Sequence, residues 1–371
     1  MKHIITALGA LAMTTTLAQA GGVERSTGGL GFMFQNGNYV ELTFGSVDPS
    51  VSGVQRLPAG QFSPIGAKSG DITPRYATAS LAIKTQLSGK LDFGVLLDQP
   101  IGANVNYAGA TGYIYGGVTG STAEINASAV TALLRYQLDD AFSIYGGLKS
   151  ESVSGKVALF NGYTMSTSTE RDMGYIVGAA YEKPEIALRV GLTYESAITH
   201  DFNVKENGAQ SLPFSTEVPQ SITLDFQTGV AKDTLVFGSI RWREWSAFNI
   251  TPAGYFASQQ EALVDYADDT ITYNIGVGRK FNDTWSGALT LGHEKSNGGF
   301  AGNLGPTDGY TSVGLAAVYT KGDMKITGGI SYAWIGNAQT EAPNPFTNGL
   351  ALADFDDNHV MGVGIKIGFT F

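Results

Sequence analysis

The chain has 371 residues, a formal net charge of −10, 49 glycines and no cysteine, and only 15% of its residues are charged. The acidic balance excludes a nucleic-acid partner, which would need a basic surface to meet phosphates, and the lack of cysteine excludes disulfides and a thiol-borne lipid anchor. The length would fit two or three soluble domains, but no Pro- or Ser-rich linker divides the chain, so it reads as one continuous architecture.

Lys2 and His3 precede an apolar stretch over residues 4–17, which ends in Ala18-Gln19-Ala20, the small-x-small pattern that signal peptidases accept. Residues 1–20 are therefore expected to be a cleaved signal peptide, residues 21–36 a short N-terminal segment, and residues 37–371 the body of the protein. The leader is too short to cross about 30 Å of hydrocarbon, and no later stretch reaches ~18 uninterrupted apolar residues, so helical membrane spanning is excluded.

Alternating segments then follow at 37–47, 73–88, 90–106, 121–138, 141–153, 170–183 and 185–199, and again at 217–231, 234–249, 268–281, 284–296, 309–320, 323–336 and 358–371. Short turn signals separate them pairwise, at Ser88-Gly89-Lys90, Asp139-Asp140, Glu182-Lys183-Pro184, Lys232-Asp233, Asn282-Asp283 and Lys321-Gly322-Asp323. The remaining connections are longer and rich in Gly, Ser, Asn and Pro. Tight turns at one end and long loops at the other are the asymmetry of a transmembrane antiparallel β-barrel, an all-β fold of about fourteen strands.

The phase of the alternation separates lipid from lumen. In the last segment Met361, Val363, Ile365, Ile367, Phe369 and Phe371 alternate with Gly362, Gly364, Lys366, Gly368 and Thr370. Val130, Ala132, Leu134, Tyr136 and Leu138 fall on the outward phase against Thr131, Arg135 and Gln137; Ile186, Leu188, Val190, Leu192 and Tyr194 do so against Arg189, Thr193 and Glu195. Lys84, Lys149, Asp225, Arg241, Lys280 and Lys325 take the inward phase, as they must where Lys or Arg at the lipid midplane costs about 2–4 kcal/mol. Tyr136, Tyr181, Trp242, Trp285, Tyr319 and Trp334 fall near strand ends, as an aromatic girdle requires. A soluble sandwich would show a second polar phase on these outward positions.

Enzymatic signatures are absent. There is no Gly-x-Ser-x-Gly, no second histidine four residues after His293, and no phosphate-binding Gly-Lys-Ser/Thr. His200, His293 and His359 are expected as exposed loop or girdle residues, and the acidic run Asp354, Asp356, Asp357 with Asn358 lacks the spacing of a Ca²⁺ loop. No catalytic residue, metal or cofactor is expected.

Carriage of an apolar molecule would use other features. Leu159, Phe160, Tyr163 and Met165 in one loop, with Leu212, Pro213 and Phe214 in another, would suit an apolar capture surface or simply pack the loops on each other. Leu96, Tyr145, Ile176 and Phe237 take the inward phase, where porins prefer polar groups. Arg135, Arg189 and Arg241, also inward, would pair with a substrate carboxylate or join lumenal charge networks. Pro100 lacks the amide a paired strand needs, and with Gly102 it should interrupt the ladder and bend the third strand, as an ordinary bulge would.

Several segments resemble the long-chain fatty acid transporter family, FadL. Residues 37–44 with Val47-Asp48-Pro49 resemble its first strand and Asp-Pro exit; Phe93-Gly94-Val95 followed by Gln99-Pro100-Ile101-Gly102 its third strand and interruption. Val218-Pro219-Gln220-Ser221-Ile222-Thr223-Leu224 and Arg241-Trp242-Arg243-Glu244-Trp245-Ser246-Ala247-Phe248 resemble its Pro-led strand and its Trp-Ser-x-Phe strand end. The resemblance implies a fourteen-stranded barrel in the bacterial outer membrane, folded by the outer-membrane assembly machinery and facing lipid and lipopolysaccharide. It implies passive uptake of hydrophobic small molecules, long-chain fatty acids or aromatic hydrocarbons, with lateral exit where the third strand kinks at Pro100 and Gly102. Family members carry a longer plug ending near an Asn-Pro-Ala element; only residues 21–36 precede the first strand here and no such element occurs, so a shortened or absent plug is expected. A general small-solute porin and a surface adhesion barrel are the alternatives.

Overall fold

The computed structural model describes residues 23–26, 29–58, 63–342 and 349–371; the expected signal peptide lies outside the described residues. Fourteen wall strands run in chain order, the first seven being β1 (Tyr39–Ser50), β2 (Tyr76–Gln86), β3 in two pieces (Leu91–Asp98 and Gly102–Tyr107), β4 (Ser121–Gln137), β5 (Phe142–Ala158), β6 (Glu170–Lys183) and β7 (Leu188–Glu195). The others are β8 (Ser221–Ala231), β9 (Thr234–Arg243), β10 (Thr270–Lys280), β11 (Trp285–Glu294), β12 (Tyr310–Lys321), β13 (Met324–Ile335) and β14 (His359–Thr370). Each pairs antiparallel with its neighbours in sequence. Tyr39 opposite Thr370 closes β1 on β14, so the wall is a closed ring whose backbone amides pair within the sheet except beside the break in β3.

The expected faces hold. Val130, Leu134, Tyr136, Leu192, Met361, Val363 and Phe369 are exposed, whereas Lys84, Thr131, Arg135, Thr193 and Arg241 are buried inside. Gly364 lies opposite Gly45 and Gly329 on the lumen side. Ile365→Arg therefore places a cation in lipid at about 2–4 kcal/mol and should abolish the compact, heat-modifiable band on electrophoresis. Gly364→Ser should leave that band intact, and equal effects would mean that the faces are reversed.

Several boundaries differ from the alternation. The 185–199 segment stays in the wall only to Glu195; Ile198–Phe202 then turns inward and pairs with Phe214–Val218, forming a ribbon across the barrel mouth. The 234–249 segment leaves the wall after Arg243 in a short 3₁₀ turn, Trp245–Ala247. β5 runs on to Ala158 because its outer end finds a second partner in Thr164–Thr167. Alternation reports which face is apolar, and an inward-turned ribbon keeps that pattern while changing its neighbours.

The long loops form a packed layer with its own core, including Tyr107, Tyr113, Leu159, Met165, Leu352 and Phe355. Glu206 ties this layer together. Its carboxylate accepts from the amides of Gly254 (2.9 Å) and Tyr255 (2.8 Å), in the first turn of helix α1 (Ala253–Gln259), from the Tyr163 hydroxyl at 2.7 Å, and from Ser211. Burial pushes the Glu206 pKa up, but the hydrogen bonds from Ser211, Tyr163 and the two amides outweigh it and hold it below the ordinary glutamate value. A depressed folded pKa stabilises above the unfolded value of about 4.3, and the contribution is lost as the pH falls through the folded value. Limited proteolysis should accordingly find the loop layer resistant at neutral pH and labile in acid, while Glu206→Ala, costing about 2 kcal/mol at neutral pH, should flatten the dependence.

Candidate functional site

The third strand is broken where Pro100 cannot donate an amide. Toward β4, Asp98 faces Ala129 and Gly102 faces Asn126, so four steps along β3 match three along β4, the signature of a one-residue bulge. Toward β2 the loss is larger. Pairing runs from Gln86 opposite Asp92 only as far as Leu81 opposite Leu97, and residues 76–80 of β2 bond to β1 alone. Contact resumes higher up, where the Asn106 amide donates to the Ile72 carbonyl at 2.8 Å.

The freed edge is taken by the N-terminal segment. The amides of Arg25 and Ser26 donate to the Pro100 carbonyl at 2.9 and 3.2 Å, the Gly102 amide donates to the Val23 carbonyl at 2.8 Å, and Glu24 forms an antiparallel bridge with Ile101. Gly102 leaves room for the Arg25 guanidinium, since a Cβ there would lie 2.6 Å from Arg25 Nε. The Arg25 guanidinium stacks over the Tyr76 ring at 4.2 Å, filling the wall beside the break.

Glu24, only 2% exposed, crosses the lumen to two buried arginines of β9. Its Oε1 lies 2.5 Å from Arg243 Nη1 and 2.9 Å from Arg241 Nη2, and Arg241 also faces Glu195 at 3.6 Å. Arg243 stacks on Trp245 at 5.0 Å; Trp245, with no exposed surface, packs on Phe248 and Tyr266.

This crossing separates two spaces. On its outer side lies an apolar chamber of about 60 Å³ lined by Val23, Ile101, Phe202, Phe214, Phe248 and Tyr266. On its inner side lies a lumen of about 250 Å³ of mixed lining, faced by charged groups such as Glu41, Arg189, Asp225 and Lys366 and by apolar ones such as Leu30, Phe34 and Leu96. Beneath the lumen the 3₁₀ helix Leu30–Phe34 forms a floor. Phe32 and Met33 are buried against Ala82, Leu96, Leu133 and Ile176, and Gly94 admits them, since a Cβ there would strike Met33 Sδ. Phe34 lies between the guanidiniums of Arg135 and Arg189, at 4.3 and 4.5 Å.

Among the residues singled out above, Leu96, Tyr145, Arg189 and Arg241 line the lumen, and Met165 and Phe214 line the apolar chamber. Ile176 and Arg135 belong to the floor; Arg135 donates to the Met33 carbonyl at 3.2 Å and pairs with Glu182. Phe237 stands apart, covering Gly276 beside Leu235, Ala288 and Val318 near the tight-turn end. Leu159, Tyr163 and Met165 are buried in the loop core, Phe160 packs on Tyr115 at 5.0 Å, and Leu212 is 70% exposed. His200 is fully buried, unlike the exposed loop residue expected; it lies on the inward ribbon with Nδ1 2.9 Å from Asp172 and Nε2 3.8 Å from Glu151. Sequence reasoning missed Glu24, Arg25, Arg243 and Trp245. One signal was available, since Arg241 and Arg243 are two apart in one strand and share a face, which calls for a buried anion.

A closed fourteen-strand barrel with an apolar girdle and a filled interior defines an integral outer-membrane protein. Residues 28–289 match the family described as outer membrane protein transport protein (OMPP1/FadL/TodX), and the chain belongs to that family. Its fold is similar to a Pseudomonas aeruginosa FadL homologue, with a TM-score of 0.73 and 14% identity over 92% of each chain. It is also similar to the P. putida toluene transporter TodX (TM-score 0.63, 14% identity, 91% of this chain and 90% of that one). The Ralstonia pickettii toluene transporter TbuX aligns with a TM-score of 0.61 at 12% identity, over 96% of this chain and 98% of that one. No curated protein sequence matches significantly.

Proposed function

We propose that the protein passively carries hydrophobic small molecules, long-chain fatty acids or aromatic hydrocarbons, across the outer membrane. The loop layer captures them, the apolar chamber binds them, and the break in β3 releases them sideways into lipid. The observation that carries this reading is that the apolar chamber ends at Ile101, inside the break, while the Glu24 crossing and the floor stand between it and the periplasmic mouth. A route that keeps apolar surface out of water avoids the cost of rehydrating it, about 25 cal/mol per Å². The names of similar structures, toluene transporters and a monoaromatic hydrocarbon channel, support the same substrate class.

In this reading the protein is no enzyme and needs no cofactor; residues 21–36 act as a reduced plug after removal of residues 1–20. Lipid and lipopolysaccharide surround it, and the outer-membrane assembly machinery inserts it. The charged groups of the lumen, Glu41, Arg189, Asp225 and Lys366, favour a second reading, a small-solute porin, which the floor opposes.

Ligand binding tests the proposal. Purified protein titrated with toluene or dodecanoate should show saturable quenching of tryptophan fluorescence, because Trp245 packs on the chamber wall. Phe214→Ala, which removes one aromatic wall, should weaken binding about tenfold. No saturable change with either ligand would overturn the proposal.

A further inference from the structure

We infer that the outer face of strands β4 to β6, just above the apolar belt, is a binding surface for a molecule of lipopolysaccharide, held through its phosphorylated sugar headgroup. The inference needs only a barrel in the outer membrane and is independent of what that barrel carries.

β4 and β5 have 17 residues each, whereas β12 and β13 have 12. The extra length projects beyond the lipid. On the outward phase the apolar belt ends at Val130, Leu148 and Met173, all exposed. Above them the same phase carries Ser128, Ser152 and Arg171 in one cross-strand row, then Asn126 and Ser154, then Glu124 and Lys156. The last row continues through Ser166 to Lys205, on the short strands Thr164–Thr167 and Val204–Glu206. The opposite phase, with Val153 and Val157, is buried in the packing beneath the loops. This part of the wall is therefore apolar inside and polar outside, the reverse of the belt below it.

Its charge is unbalanced. Lys156, Arg171 and Lys205 are exposed, and none of them forms an ion pair among the described residues. Glu124 stands opposite Lys156 in register but accepts instead from the Asn126 side-chain amide at 2.7 Å, while Arg171 Nε donates to Ser152 Oγ at 3.4 Å. Elsewhere on the outer side Arg56 pairs with Asp354 and Arg75 with Asp48. In a chain of net charge −10, three cations gathered on one face without carboxylates attract an anion from outside. Phosphate suits them, since arginine meets it with two parallel hydrogen bonds and lysine as a point charge.

The height of the face selects the anion. Arg171 lies one outward step above Met173, and Lys156 lies four residues beyond Ser152, the partner of Arg171. At about 3.4 Å per residue on a strand tilted about 40°, that places the lysine row ~10 Å above the arginine. A phospholipid headgroup region is only about 5–7 Å deep, so it cannot span both. Lipopolysaccharide can, because its phosphates lie at the base of a sugar head that rises well above the acyl chains. Asn126, Ser152 and Ser154 offer amide and hydroxyl groups to sugar hydroxyls between the cations, and Leu148 and Met173 meet the acyl chains beneath.

Binding of fluorescent rough lipopolysaccharide to the purified protein, refolded free of lipid in detergent, tests the inference. Lys156→Gln, Arg171→Gln and Lys205→Gln together should weaken binding about a hundredfold in protein that keeps its heat-modifiable migration. Lys183→Gln, Lys232→Gln and Lys321→Gln remove as many exposed cations from the tight-turn end and should change it by less than about twofold. Lipopolysaccharide stripped of phosphate should bind the parent protein as weakly as intact lipopolysaccharide binds the first variant, an arm that decides the matter even if that variant does not assemble. Phosphatidylglycerol should bind the parent at least tenfold more weakly than lipopolysaccharide does. Undiminished binding by the first variant or by the stripped glycolipid, equal weakening in the second variant, or equal binding of phosphatidylglycerol would each overturn the inference.

Discussion

Replacing Pro100 by Val and Gly102 by Thr should lower uptake of a hydrophobic substrate by an order of magnitude or more, while surface abundance and heat-modifiable migration stay normal. Valine restores the amide that proline lacks, and both new residues favour an extended, paired backbone. The threonine side chain needs the space that the Arg25 guanidinium fills, 2.6 Å from the position of its Cβ, so that guanidinium must leave the break. Residues 76–80 of β2, which bond to β1 alone, are the nearest partners for that edge, and the wall closes. Unchanged surface abundance and heat-modifiable migration separate loss of transport from loss of structure. A double variant that folds and transports as the parent does would rule out exit through β3.

The floor should have an equally large effect in a different assay. Phe32→Ser combined with Phe34→Ser removes the buried aromatic contact with Leu96 and Leu133 and the ring held between Arg135 and Arg189. Loss of such contacts costs about 3–5 kcal/mol per aromatic, enough to release a single 3₁₀ turn but not to open a barrel whose wall is paired all round. In planar bilayers the parent should show low, erratic conductance, and the double variant stable ohmic channels with conductance raised about tenfold, as for a water-filled barrel. Stable ohmic channels in the parent would favour the porin reading.

Much of this architecture was legible because lipid imposes a strict code. The outward phase of β4 and β14 had to be apolar, Arg135 and Lys366 had to face inward, and the break at Pro100 followed from one missing amide. What remained hidden depends on contacts without a local signature. Glu24 meets Ile101, Arg241 and Arg243 across most of the sequence, and a four-residue strip pairing inside the lumen has no period to read. Arg241 and Arg189 were placed correctly on the inward phase, yet their partners, Glu24 and the Phe34 ring, lie in a segment too short to show a pattern. The ribbon carrying His200 kept an alternating pattern after leaving the wall, so alternation alone predicted more wall than β7 contains. In the loops, apolar residues read as a capture surface divide between the loop core, as Tyr163 and Met165 do, and solvent, as Leu212 does, because burial there is set by how long loops pack on one another.

The central claim is that the route through this barrel is apolar and bypasses the wider lumen with its charged groups. Uptake of labelled dodecanoate and of labelled xylose, measured in the same lipopolysaccharide-bearing cells with and without the protein, tests it most directly. The account predicts that the protein accelerates dodecanoate entry severalfold and leaves xylose entry at the level of cells lacking it. Xylose entry that rises with the protein as much as dodecanoate entry does would contradict it.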